Sequence, residues 1–246
     1  MIEGYAIADD SRIRKAKKII VCLEFVMNKK LRNMRLLEIG AGSGLISYEL
    51  SKHGNEVVAI DIQADTLKKA INNLKIQLTE YINFQIADGI NLPFKSNCFD
   101  VCICNQVIEH VPKNKQEELI NEAYRVLKNK GLFYMATGNK LWPIEPHTGL
   151  PFLQYLPQLI ADKYIKLFKK IDRYDVSLPT YWKLKMMMYK FNKIIDLTPH
   201  IIKNPEKFYI REEIPSHFKL VTKRIPLRIL SAISPISPSW ILVGVK

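Results

Sequence analysis

The chain has 246 residues, of which 48% are hydrophobic and 10% aromatic, with a formal net charge of +13. That composition sustains a packed core and excludes wholesale disorder, while four cysteines without paired spacing exclude a disulfide framework. The charge is uneven: residues 1–150 carry 20 Lys and Arg against 17 Asp and Glu, residues 151–246 carry 17 against 7. The basic excess in the C-terminal part calls for an anionic partner there, or for a solvated lysine-rich surface.

Residues 11–31 read as an N-terminal helix capped by Ser11, with Ile13, Ile20, Leu23 and Val26/Met27 at helical spacing. Its apolar run "IIVCLEFVM" is broken by Glu24 and follows "RIRKAKK", unlike a signal peptide. No segment is long enough to span a bilayer, so a reduced, cytoplasmic setting is expected. From Arg35 strands and helices alternate: "RLLEIG", then Leu45–His53; "EVVAID", then Asp65–Leu78; "INFQIAD", "CFDVCICNQ", then Lys113–Lys128; and "GLFYMAT". Such spacing predicts parallel strands with right-handed crossovers in a doubly wound α/β sheet. Cys102 and Cys104 fall on one strand face as small apolar residues, and no ligand cluster at zinc spacing accompanies them, so no metal site is expected.

Residues 138–157 hold Pro143, Pro146, Pro151 and Pro157, too many for a helix or central strand. Two amphipathic helices are predicted next. One has Ile160, Tyr164, Leu167/Phe168 and Ile171 as its apolar set with Lys163, Lys166, Lys169 and Lys170 elsewhere. The other has Leu184, Met187/Met188, Phe191 and Ile194/Ile195. "HFKLVTKRI" and "SWILVGVK" resemble two closing strands within 217–246. The expected organisation is one domain over 1–246, with a core at 35–137 and a proline-rich loop and helical lid at 138–197.

The stretch "LLEIGAGSGLISYEL" raises the question of function. A glycine turn between strand and helix, Gly40-Ala41-Gly42-Ser43-Gly44, lets backbone approach a ligand. Asp61 follows Gly40 by 21 residues, where an acid binds ribose hydroxyls. Glu38, two residues before the turn, would repel a pyrophosphate but suits a cationic amino-acid moiety. Asp88 follows the third strand, where a short polar side chain would meet an adenine amino group.

In order, "LLEIGAGSG", "VVAIDI", "IADGINLPFKSNCFDVCICNQVIEHV" and "RVLKNKGLFYMAT" resemble the successive motifs of the class I S-adenosylmethionine-dependent methyltransferases, from Leu36 to Thr137. The resemblance implies a seven-stranded, mostly parallel sheet with a helical insertion after the fifth strand, and S-adenosylmethionine as cofactor. It also implies that Gly40, Ala41, Gly42 and Gly44 line the methionine part, with Glu38 orienting the turn. Asp61 would hold the ribose, Ile62 would lie beside the adenine, Asp88 and Gly89 at its edge, and Asn105 and Gln106 below the sulfonium.

The catalytic candidates are Glu109, His110 and His147. An E-H pair after the fourth strand is widespread among related enzymes of differing substrate, which favours a structural role for Glu109 and His110. His147 lies after the fifth strand at the same sheet edge, and a histidine suits removal of a hydroxyl proton; Glu145 and Asn139 accompany it. "CNQV" replaces the N-P-P-Y-type tetrad of amino-methylating nucleic-acid enzymes. The expected acceptor is therefore an oxygen of a small molecule, sugar or lipid-linked glycan. RNA, a nicotinamide cofactor in a Rossmann oxidoreductase, and a non-catalytic binding protein remain alternatives. The lysine-rich helices with Tyr164, Phe168, Trp182 and Phe191 read as a lid, as a face for peripheral contact with an anionic membrane, or as helices packed on the sheet.

Overall fold

The computed structural model describes residues 2–74, 80–210 and 222–246. The strands are β1 (Arg35–Ile39), β2 (Glu56–Asp61), β3 (Ile82–Ile86), β4 (Phe99–Asn105), β5 (Leu127–Gly138), β6 (Lys193–Asp196) and β7 (Ser239–Val245). They form one sheet in the order β3-β2-β1-β4-β5-β7-β6. β1 to β5 pair in parallel, and β7 runs antiparallel to both of its neighbours. Successive crossovers change direction between β1 and β4, which opens a crevice at the carboxyl ends of those two strands.

Side-chain alternation divides the interior into two layers. Leu37, Ile39, Cys102, Cys104, Phe133 and Met135 face α4 (Gln116–Val126) and α6 (Tyr181–Met187). Leu36, Val101, Ile103, Leu132 and Tyr134 face α1 (Ile2–Met27) and α2 (Leu45–Ser51). Glu38 shares the Leu36 face, so it is buried beneath α1 and α2. The apolar runs read as a sheet covered on both sides, and it is.

Several boundaries differ from the sequence expectation. α1 begins at Ile2, so Ser11 lies within the helix and does not cap it; the helix ends at Met27, where Asn28 takes a left-handed φ of 52°. Lys113–Gln116 and Leu127–Lys128 fall outside or at the ends of α4, because β5 starts at Leu127. α3 (Ala64–Leu74) is described to Leu74, and the rest of its expected span, 75–79, lies outside the described residues. The second insertion helix stops at Met187, and Ile194 and Ile195 belong to β6. Gly244 allows this turn back to the sheet: a Cβ there would lie 2.6 Å from Phe191 Cδ1, and Phe191 stacks on Phe133 at 5.5 Å. The closing strand expected in "HFKLVTKRI" is not one where it is described, because residues 222–224 are helical; residues 217–221 lie outside the described residues. β6 takes its place at the sheet edge.

The segment between β5 and β6 has a satellite core of Leu150, Leu153, Ala161, Ile165 and Tyr174. Here α5 (Gln158–Lys169) buries Ala161 and Ile165; of the expected apolar set Tyr164 packs partly against this core, while Ile160, Leu167, Phe168 and Ile171 are exposed. Of the second set, Leu184, Met187, Met188 and Phe191 are buried against the sheet, while Ile194 and Ile195 are strand residues of β6. The satellite core is tied to the site edge by Ser177, whose N–H donates to Glu109 O (2.6 Å) and whose carbonyl accepts from Gln116 Nε2 (2.7 Å).

One buried group carries a stability cost. Tyr134 is fully buried and its hydroxyl has no hydrogen-bond partner among the described residues, a cost of about 1–3 kcal/mol for a neutral group. Tyr134→Phe should leave stability unchanged or raise it by about 1 kcal/mol, read from the urea midpoint at constant slope. A clear loss would mean that the hydroxyl bonds a buried water.

Candidate active site

The turn after β1 closes on the end of β2 through three backbone donors. Gly40 N–H and Ala41 N–H both reach Ile60 O, at 2.8 and 2.9 Å, and Gly42 N–H reaches Asp61 Oδ2 at 3.0 Å. Gly40, Gly42 and Gly44 have φ of 75°, 54° and 73°, a region in which a side chain is strained. Their surroundings differ. A Cβ on Gly40 would overlap Val107, and one on Gly44 would lie 2.8 Å from Phe84 and 2.9 Å from Leu74. A Cβ on Gly42 would instead touch the Arg12 side chain, with Nη1 at 3.4 Å.

Beside this turn lies a cavity of about 500 Å³ walled by Gly40, Asp61, Ile62, Asp88, Gly89 and Gln106, among others. Asp61 Oδ1 accepts from Gln63 N–H at 3.0 Å, so each carboxylate oxygen holds one backbone bond and keeps capacity for another. Asp88 Oδ1 accepts from Ile90 N–H at 3.1 Å, and Gly89 leaves room for Ile39 and Leu119. A second cavity of about 380 Å³ is walled by Arg12, Lys15, Ala41, Asn105, His110 and His147, among others. Gly40, Gln106, Val107 and His110 are walls of both, so the two adjoin. Gln106 sits at the junction with a left-handed φ of 56°, its N–H on Ala136 O (2.8 Å) and its side-chain oxygen on Lys15 Nζ (3.1 Å).

Glu38, Gly42 and Gly44 wall neither cavity. Glu38 lies behind the turn, where its carboxylate accepts the Ser47 hydroxyl. Arg12 and Lys15 were missed in the sequence, where "RIRKAKK" read only as a basic flank. Their spacing of three puts both on one helix face, the signal that was available.

The structure brings His147 from the proline-rich loop to the end of β4. Its Nε2 lies 3.4 Å from Oε1 of fully buried Glu109, and its ring centroid 5.3 Å from that of His110. Glu109 Oε2 accepts from Thr137 Oγ1 at 3.0 Å, whereas Oε1 has no bond of ordinary length. Interaction with Glu109 raises the His147 pKa above its ordinary 6.5, against the opposing effect of burial. Glu145 fixes the loop: its Oε2 accepts from His147 N–H (2.9 Å), Thr148 N–H (2.6 Å) and Thr148 Oγ1 (2.8 Å). Asn139 is wholly committed to structure, bonding Ser237 O, Pro235 O and Leu141 N–H.

Residues 37–135 match the family described as "Methyltransferase domain". The sheet order, the glycine turn and Asp61 agree with the class I pattern. Over that segment the chain is similar to the class I S-adenosylmethionine-dependent methyltransferases. Over 113 residues the chain is 34% identical to a ubiquinone biosynthesis O-methyltransferase of Pelagibacter ubique, covering 46% of this chain and 45% of that one. Over 115 residues it is 33% identical to the mitochondrial ubiquinone biosynthesis O-methyltransferase of Rattus norvegicus, covering 46% and 33%. The chain thus spans a third to about half of the length of the curated relatives it matches. A solved S-adenosylmethionine-dependent methyltransferase from Mesorhizobium loti shares the fold, with a TM-score of 0.56 at 14% identity over 88% of this chain and 92% of that one.

Burial raises the Glu38 pKa from 4.5 to about 8, partly offset by the Ser47 hydrogen bond and the Arg12 charge. The folded chain therefore keeps a proton that the unfolded chain releases above about pH 4.5. The stability this contributes is complete below that pH and is lost as pH rises through about 8. Glu38→Gln should flatten that decline, measured by denaturant midpoints at about pH 5 and about pH 9.

Proposed function

We propose that the chain is an S-adenosylmethionine-dependent methyltransferase that methylates a hydroxyl of a small-molecule acceptor, with His147 as general base. The observation that carries this reading is His147 at the wall of the cavity adjoining the one beside the glycine turn, with buried Glu109 against its Nε2. The names of the relatives, as O-methyltransferases, support the same acceptor chemistry.

The residues present fit the cofactor. Gly40 and Ala41 of the turn wall the cavities, and Arg12 stands beside Gly42 as a cation for the carboxylate of a methionine moiety. The spare acceptor capacity of Asp61 suits two ribose hydroxyls. Ile62 and Gly89 offer an apolar edge and a backbone edge to a purine. When bound, S-adenosylmethionine supplies an electrophilic methyl group on a sulfonium sulfur. The chain then has to align the acceptor and take its proton.

Glu109 faces His147 Nε2, which makes that nitrogen the protonated one and leaves Nδ1 as the proton acceptor. As the acceptor oxygen takes the methyl group, its proton passes to Nδ1. Glu109 stabilises the imidazolium that results. Lys15 and Arg12 add positive charge to the same cavity, which favours the oxyanion form of an acidic hydroxyl such as a phenol.

Calorimetry should detect S-adenosylmethionine or its demethylated product, and Asp61→Ala should weaken binding by roughly 100-fold through two charged hydrogen bonds. Tight NAD binding in place of either would move the protein to oxidoreductase chemistry. With methyl-labelled cofactor and fractionated cell extract, label should enter the small-molecule or lipid fraction. Label confined to tRNA or rRNA would overturn the acceptor class.

The base has its own signature. Turnover should rise with pH through a value above 6.5, the direction of the His147 shift. His147→Gln should remove that limb and slow kcat by about 100-fold. Glu109→Gln should move the limb to lower pH, because the carboxylate is what raises the pKa. A change in KM alone for His147→Gln would assign the histidine to acceptor binding.

A further inference from the structure

We propose that α5 is a membrane-docking element, which seats the insertion on an anionic lipid surface and so presents the site to an acceptor dissolved in the bilayer. The docking stands on the surface of α5 itself; only the lipid-dissolved acceptor rests on the methyltransferase reading.

The observation is an apolar stripe that stays exposed among the described residues. Ile160, Leu167 and Phe168 lie along one flank of α5, Ile171 follows its left-handed cap, and all four are exposed, Leu167 by 76% and Phe168 by 60%. The helix is not short of a core, since Ala161 and Ile165 are already buried in the satellite cluster. Tyr164 packs partly against that cluster and meets the Phe168 ring edge-on at 5.1 Å. A stripe so exposed, beside a buried face that is already filled, has the form of a helix lying in a lipid interface.

Charge selects the occupant. Lys163 is three residues after Ile160 and four before Leu167, so helical spacing sets it beside the stripe, and exposed Lys170 caps the helix just after it. Lys169 adds a third. Lys166 pairs with Asp172 at 2.9 Å, and Asp162 is occupied by Gln158 Nε2 and Tyr174 N–H, both at 2.8 Å. Asp162 and Asp172 are therefore engaged within the segment, and the exposed Lys163, Lys169 and Lys170 outnumber the one remaining exposed acid, Asp175. A second copy of the same face would set lysine against lysine, whereas anionic headgroups complement it and let the lysine stems lie along the stripe.

The geometry links this surface to the chemistry. His147 and α5 belong to one insertion, and Leu150 and Leu153 of the His147 loop share the satellite core with Ala161 and Ile165. Glu145 N–H on Leu150 O at 2.9 Å fastens that loop to the same core. The element that meets the lipid is thus packed against the one that carries the base. Among the described residues no helix is long and apolar enough to cross a membrane, so contact is confined to the surface.

Co-sedimentation of the full chain with vesicles tests this. Vesicles of mixed phosphatidylglycerol and phosphatidylcholine should bind it at low salt and release it at high salt, and vesicles of phosphatidylcholine alone should bind it weakly. Lys163→Gln and Lys170→Gln should each reduce partitioning about fivefold. The double variant Leu167→Ser, Phe168→Ser should abolish binding while leaving the thermal midpoint and S-adenosylmethionine affinity unchanged, because both side chains are exposed and remote from the turn. Equal indifference to both vesicle types, or binding that survives the double variant, would overturn the proposal. So would a dimer in light scattering that the same double variant dissociates, which would assign the stripe to a second copy. Cofactor affinity is read separately, so a failure of docking is distinguishable from a failure of the methyltransferase reading.

Discussion

The hydrogen bond from Gly42 N–H to the Asp61 carboxylate joins the ends of β1 and β2, and the site depends on it. It holds the turn in a left-handed course that only glycine adopts without strain, and it points the Asp61 carboxylate at the cavity. The turn then cannot move without Val107, because Gly40 lies where a Cβ would overlap that side chain. Val107 follows Gln106 at the end of β4, so the bond between β1 and β2 also sets the position of the third wall. One backbone donor thus sets the register of three strand ends around a single crevice.

Buried carboxylates surround that crevice, and their treatment differs by role. Glu38 is shielded on the α1 side, and burial raises its pKa towards the neutral form. Glu109 is as deeply buried but faces a histidine that can carry the matching charge. Glu145 spends one oxygen on three donors of its own loop. A buried charge persists only where it is paired or bonded. The first of these groups stiffens the turn, the second bears on the base, and the third shapes the loop that delivers it.

The legible parts of the sequence were those in which neighbouring residues carry the message. Alternating strands and helices, the glycine turn, and Asp61 at the end of the next strand are all local patterns of spacing. They led to a doubly wound sheet and a crevice of the right kind. The misread parts were decided by distant partners. Ile194 and Ile195 continue a helical pattern, yet they pair with β7, since Gly244 makes room for Phe191 to turn the chain back. The apolar stripe of α5 looks like a core face, but two small contacts, Ala161 and Ile165, fill the space beneath the helix first.

The sequence by itself determined the class of fold, the glycine turn and the acid that partners it, because these follow from side-chain period and backbone freedom within short windows. Only the tertiary structure decided that His147 meets Glu109, that Arg12 and Lys15 reach the cavity from α1, and that Gly42 faces Arg12 while Gly44 faces the core. Those pairings join residues 38, 91 and 30 or more positions apart. Their geometry is set by how whole layers pack, and packing is a property of the assembled chain rather than of any stretch within it.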